Sequence, residues 1–137
     1  MIKRTPILLM VVFLIVSAVF SGACSTAKTT LPAVTSPATT AQPAINLTAA
    51  GMSFNLGNIS VSAGAKVTIN FNNQDTGIQH NFALYTDSTA SKSIFVGQMV
   101  TGPGMVTYTF TAPSTPGNYF FRCDVHPTVM TGTFTVT

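Results

Sequence analysis

Read for apolar and polar positions, the chain changes character twice. Residues 7–20 form an almost unbroken apolar run, residues 25–44 are mostly Ser, Thr, Ala and Pro, and from residue 45 onward short apolar stretches alternate with polar ones. Val67-Thr68-Ile69-Asn70-Phe71, Val106-Thr107-Tyr108-Thr109-Phe110 and Thr133-Phe134-Thr135-Val136-Thr137 keep a period of two. That period turns one side of a strand to a core and the other to water. Ile45-Asn46-Leu47, Ile59-Ser60-Val61, Phe82-Ala83-Leu84 and Tyr119-Phe120-Phe121 add shorter strands. Ala63-Gly64, Asn72-Asn73, Gly102-Pro103-Gly104 and Pro116-Gly117 are the turn signals between them. No segment has a helical period, although residues 87–93 can hold one short turn. Seven or eight short strands at this spacing predict an all-β protein, an antiparallel β-sandwich over residues 45–137.

The apolar run near the start follows Lys3 and Arg4 and is 14 residues long. A membrane span wants about 20 such residues, so the pattern predicts an export signal over residues 1–23. It ends in Ser21-Gly22-Ala23-Cys24, which resembles the lipobox of bacterial lipoproteins, with Ser21 where Leu is commoner. The resemblance implies acylation of Cys24 and a lipid anchor on the extracytoplasmic face of a bacterial membrane, in the periplasm or at the cell surface. An ordinary signal cleaved near Ala23, with Cys24 incidental, is the alternative. Residues 24–44 then read as a disordered tether, because Ser, Thr, Ala and Pro cannot bury enough apolar surface to fold.

Charge alters this picture only by subtraction. The chain has 137 residues, 6 Lys+Arg against 3 Asp+Glu, and a formal net charge of +3. Lys3 and Arg4 lie in the signal and Lys28 in the tether. Residues 45–137 therefore carry Lys66, Lys92 and Arg122 against Asp75, Asp87 and Asp124, and are neutral. No basic stripe remains to follow a phosphate backbone, which excludes nucleic acid as a partner. Only 7% of residues are charged and Glu is absent, which excludes a charged helix or coiled coil.

Residues 45–137 contain one Cys and two His. A single thiol in an exported protein calls for an explanation, since oxidising surroundings favour disulfides. Cys123 and His126 lie three residues apart, a reach that a tight loop brings onto one ion, and Met130 follows four residues later. Taken singly, a buried Cys, a hydrogen-bonded His and a core Met are ordinary. Together, every His and Cys of the segment enters one ligand pattern.

His80-Asn81-Phe82, the run Pro116-Gly117-Asn118-Tyr119-Phe120-Phe121-Arg122-Cys123, and the Cys123, His126, Met130 spacing resemble the cupredoxins, the plastocyanin-like small blue copper proteins. The resemblance implies a Greek-key sandwich holding one copper ion, Cu(I)/Cu(II), with His80, Cys123 and His126 as trigonal ligands and Met130 as a weak axial one. It further implies that Asn81 braces the ligand loop and that Tyr119 pins a neighbouring loop. His126 would be the electron exit, in an apolar patch to which Met52, Met99, Met105 and Pro127 are candidates. Asp124 stands beside the Cys where Ser or Thr is more usual, so a carboxylate is expected next to the site.

His₂Cys with a long thioether is a ligand set of electron-transfer copper, and it leaves no open position for a substrate. The expected function is therefore a non-enzymatic, monomeric, membrane-tethered one-electron carrier that docks transiently on redox proteins through its apolar patch. Copper storage, delivery or sensing uses the same ligands and stays open, as does a metal-free β-sandwich binding module. Asp75-Thr76-Gly77 matches the tripeptide of aspartic proteases, but the polar residues Asn72-Asn73-Gln74 before it read as a turn.

Overall fold

A computed structural model describes residues 42–137; the expected signal, Cys24 and most of the tether lie outside the described residues. The strands are β1 (Ile45–Ala50), β2 (Ser53–Phe54), β3 (Asn58–Val61), β4 (Lys66–Asn73), β5 (Gln79–His80), β6 (Ala83–Tyr85), β7 (Ser93–Val96), β8 (Val100–Thr101), β9 (Gly104–Thr111), β10 (Gly117–Arg122) and β11 (Thr131–Val136). One sheet has the order β2-β1-β4-β9 and the other β3-β11-β10-β6-β7, with β5 and β8 forming a small separate ribbon. The all-β sandwich is as expected, and no helix occurs among the described residues.

The alternating segments form the strands they predicted. In β4, Val67, Ile69 and Phe71 are buried while Lys66 faces water, and β11 buries Phe134 and Val136 on the same rule. Leu47 and Ala49 from one sheet meet Ile59, Val61, Leu84, Phe121 and Phe134 from the other in a single core. Aromatic rings bridge it, with Phe95 stacked on Phe110 at 4.7 Å and Phe82 tilted on Phe121 at 5.3 Å. Tyr119 donates its hydroxyl to the Thr115 carbonyl at 2.8 Å, fastening the segment before β10 as the resemblance implied.

Three details differ from the sequence reading. The described residues form eleven strands rather than seven or eight, because β2, β5 and β8 are two residues each and too short to leave a period. The sandwich is mixed, because β1 runs parallel to β4 and β3 parallel to β11. The chain leaves the first sheet after β2, lays β3 in the second and returns with β4, so no hairpin forces the pair antiparallel. Asn72-Asn73 is no turn but the end of β4, and Asn73 is fully buried. Its side-chain amide donates to the carbonyls of Ile78 (2.8 Å) and Val100 (2.7 Å) and its oxygen accepts from the Asp75 amide. A buried Asn is acceptable there because every polar atom of its side chain is paired, with the Ile78 and Val100 carbonyls and the Asp75 amide.

Candidate metal centre

The chemistry gathers where β5 ends and where β10 hands over to β11. Gln79 and His80 pair with Thr101 and Val100, which fixes the His80 backbone at one edge. Before it, Asp75, Thr76, Gly77 and Ile78 form a β-turn closed by the Ile78 amide on the Asp75 carbonyl at 3.1 Å. Gly77 has φ 75, the left-handed value that the third position of such a turn favours in glycine. The protease-like tripeptide is thus a turn, and it folds the Asp75 carboxylate back onto His80.

Cys123 directly follows β10 and Met130 directly precedes β11. These two strands are antiparallel neighbours, so the loop between them is short and tied at its base, with the Cys123 amide on the Met130 carbonyl at 2.9 Å. Inside the loop the His126 amide reaches the Cys123 carbonyl (3.2 Å), and the Met130 amide reaches the His126 carbonyl (3.1 Å). This winding turns Cys123 and His126 to the same side. Asn81 locks the loop from the neighbouring segment: its oxygen accepts from the Asp124 amide at 2.8 Å, and its NH₂ donates to the Gly97 carbonyl and to Asp124 Oδ2.

The result is a triangle of donors. His80 Nδ1 lies 3.6 Å from Cys123 Sγ, His126 Nδ1 lies 3.8 Å from the same sulfur, and the two nitrogens are 3.1 Å apart. A point equidistant from the corners of that triangle is about 2.0 Å from each, the length of a metal–imidazole bond and a little short for a metal–thiolate one. His80, Cys123 and Met130 are fully buried and His126 is half-buried.

The charged residues around the triangle are satisfied by their neighbours. Asp75 Oδ1 accepts from the Gly51 amide (2.6 Å), and Oδ2 accepts from the Met52 amide (3.0 Å) and pairs with His80 Nε2 (2.9 Å). The Met52 and Gly51 amides, then His80, hold the Asp75 carboxyl below the usual carboxylate range. Burial works against ionisation of Asp124. Hydrogen bonds from Tyr85 (2.7 Å), Arg122 (2.9 Å) and Asn81 outweigh it, so that carboxyl too lies below the usual range.

An ionised Asp75 can only accept, so its contact with His80 Nε2 calls for a proton on that nitrogen; in the neutral ring this leaves the Nδ1 lone pair facing the triangle. A second imidazole nitrogen 3.1 Å away and a sulfur beside both bring three metal-ligating atoms together. Two imidazole nitrogens and a cysteine sulfur, with a buried methionine at the end of the same loop, are the donor set of a type 1 copper site, and the residues present fit that ion.

His80, Cys123 and His126 are brought together, and Met130 closes their loop. Of the proposed exit-patch residues, Pro127 is exposed within the loop. Met52 is half-buried and joined to His80 through Asp75, and Met99 (43% exposed) precedes Val100, the partner of His80. Met105, 75% exposed, lies on β9 opposite Asn72. Sequence reasoning missed Asp75, Tyr85 and Arg122 as neighbours of the centre. Only Asp75 had a signal, a turn-forming acid five residues before a ligand-type His.

Similarity to known proteins agrees with this geometry. Auracyanin A, a blue copper protein from the green thermophilic photosynthetic bacterium Chloroflexus aurantiacus, is 27% identical with a TM-score of 0.62, over 69% of this chain and 98% of that one. An auracyanin from the photosynthetic bacterium Roseiflexus castenholzii is 25% identical with a TM-score of 0.62, over 71% and 98%. A reduced Cu(I) form of an amicyanin variant is 25% identical with a TM-score of 0.51, over 71% and 85%. No curated protein matches the chain in sequence. The sequence profile of the cupredoxin-like domain matches residues 8–136, and the chain belongs to the cupredoxin-like domain family.

Proposed function

We propose that this protein is a mononuclear blue copper protein that carries single electrons outside the cytoplasm, tethered to a bacterial membrane. The observation that carries the reading is the convergence of His80 Nδ1, Cys123 Sγ and His126 Nδ1 on one point, with Met130 buried at the end of the loop that bears Cys123 and His126. These three would hold the ion and the Met130 thioether would be its weak fourth ligand. Bound copper supplies a one-electron couple that imidazole, thiolate and thioether tolerate in both oxidation states.

The chain's own contribution is rigidity and access. The Asn81 brace and the bond from Cys123 to Met130 hold the donors in one arrangement, so that a change of charge meets little rearrangement. Cys123 is shut away from oxidants, while the half-buried His126 offers an imidazole edge to a partner. A reduced partner gives up one electron and an oxidised partner receives one; no bond is made or broken in this chain. Val125 (43% exposed), Pro127 and Val129 (63% exposed) surround His126 in sequence and give partners an apolar docking face, with Met52, Met99 and Met105 as further candidates. The tether reading rests on the sequence of residues 1–44, with Cys24 as the acylated residue.

The test is to add Cu(II) to the full chain and record the visible spectrum. An intense thiolate-to-copper band is expected, absent in Cys123→Ser, with reversible one-electron electrochemistry and fast self-exchange marking a carrier rather than a store. A colourless protein whose Cys123 still reacts with thiol reagents overturns the copper reading. Fatty-acid labelling that Cys24→Ser does not abolish overturns the anchor.

A further inference from the structure

We propose that Asp75 is the positioning residue of the metal centre. Its carboxylate sets the tautomer and aim of His80, and it ties the Gly51–Met52 turn to that imidazole. The inference deepens the copper reading of the same site and rests on it for the redox part only.

The carboxylate is unusually constrained for a residue in a loop. The Asp75 amide is held by Asn73 Oδ1 at 3.0 Å and its carbonyl by the Ile78 amide at 3.1 Å. A side chain on Gly102 would run into the same carbonyl, so the backbone is packed from that side as well. Both carboxylate oxygens are then used from a distant part of the chain, by the amides of Gly51 and Met52. Gly51 and Met52 have φ of 58 and 61 and form the two-residue hairpin turn between β1 and β2. Left-handed backbone at both central positions aims consecutive amides in one direction, which is why one carboxylate takes both. Met52 has a side chain and is disfavoured in that conformation, and the bond to Asp75 offsets part of that cost.

An acid held in this way cannot swing, so the third group on it, His80 Nε2 at 2.9 Å, is held too. The ring is fully buried, and the carboxylate side chain is only 14% exposed. A carboxylate accepts and never donates while ionised, so of the two neutral tautomers of His80 it admits only Nε2–H, the one whose Nδ1 is free to bind. Asparagine in its place would present one acceptor and one NH₂ to three donors. If the NH₂ faced Nε2, the ring would have to accept there and move its proton to Nδ1, where it blocks coordination.

The experiment has a part that needs no copper. In the metal-free full chain, ¹⁵N–¹H correlation of the imidazoles, at a pH where the ring carries one proton, reports which nitrogen holds it. The wild type should show His80 as Nε2–H, Asp75→Asn should shift it toward Nδ1–H, and Asp75→Glu should restore Nε2–H at least in part. With copper, Asp75→Asn should weaken Cu(II) binding by about 10–100-fold, as loss of a ligand's outer partner does. Removing the negative charge also favours Cu(I), by up to about tenfold in the Cu(I)/Cu(II) ratio, which is about 59 mV for one electron. A wild-type His80 in the Nδ1–H form overturns the proposal whether or not any variant folds. So does an Asp75→Asn protein that keeps both the Nε2–H tautomer and the wild-type potential. If the tautomer responds to Asp75 but no blue band ever forms, the positioning role stands and the copper reading falls.

Discussion

Met130 ties the loop that carries Cys123 and His126. Its backbone bonds in both directions, toward Cys123 and toward His126, and its side chain is fully buried. Leucine has nearly the same volume, and such swaps usually cost less than about 1.5 kcal/mol, so Met130→Leu should leave the fold and the loop intact. It removes only the thioether, whose electron density favours Cu(II). The expected outcome is a copper protein that keeps its visible band but has a higher potential, read by redox titration. An unchanged spectrum and potential would assign the axial position to another group. At this scale the sequence was informative where a residue type is scarce: His80, Cys123 and His126 are every His and Cys of residues 45–137. Asn81 and Tyr119 were reached through family resemblance; Asn81 accepts from the Asp124 amide and Tyr119 donates to the Thr115 carbonyl. Tyr85 could not be read. Its hydroxyl meets Asp124 across 39 residues only because β6 pairs with β10 in the register Ala83↔Arg122.

That register matters equally for the elements that carry the loop. Across the β10–β11 pair, Phe121 stands opposite Gly132, and its ring lies where a Cβ on Gly132 would be. The Gly57 carbonyl closes the other side at 2.7 Å, so neither ring nor backbone has room to give way. Gly132→Ala should therefore destabilise by about 1–3 kcal/mol through overpacking, measured by denaturant unfolding. It should also disturb the ligand loop one residue beyond Thr131. Gly57→Ala is the control: nothing lies within 4 Å of its Cβ position, so its stability should stay within about 0.5 kcal/mol of wild type. Equal losses in the two variants would mean that the packing around Gly132 is not what makes it a glycine. Long strands such as β4 and β11 were legible because one face is buried and the other wet. β2, β5 and β8 are two residues each, too short for any period, and β7 places Ile94 and Phe95 side by side, both half-buried. Asn72-Asn73 carries turn-type residues yet ends a strand, because Asn73 is spent inside the protein on the Ile78 and Val100 carbonyls.

For the molecule as a whole, half of the few charges of residues 45–137 are occupied internally. Asp75 is bound by two amides and an imidazole. Asp124 is bound by Arg122, whose guanidinium also lies 4.8 Å from the centre of the Tyr85 ring. Lys66, Lys92 and Asp87 remain on the surface of residues 45–137, too few to project a strong field. The residues flanking His126 in its loop, Val125, Pro127 and Val129, are uncharged and exposed. Encounter should then depend on apolar contact, which salt does not screen, since the Debye length falls from about 10 Å to about 3 Å between 0.1 and 1 M without touching it. Electron self-exchange in the copper-loaded protein should change less than about threefold over that range. Val129→Asp supplies the contrast: it brings two like charges together when two molecules meet through this face, so exchange should slow at low salt and recover as salt rises. A tenfold fall in the wild-type rate with salt, or a Val129→Asp protein that exchanges as fast as wild type at low salt, would show that electrons leave by another face.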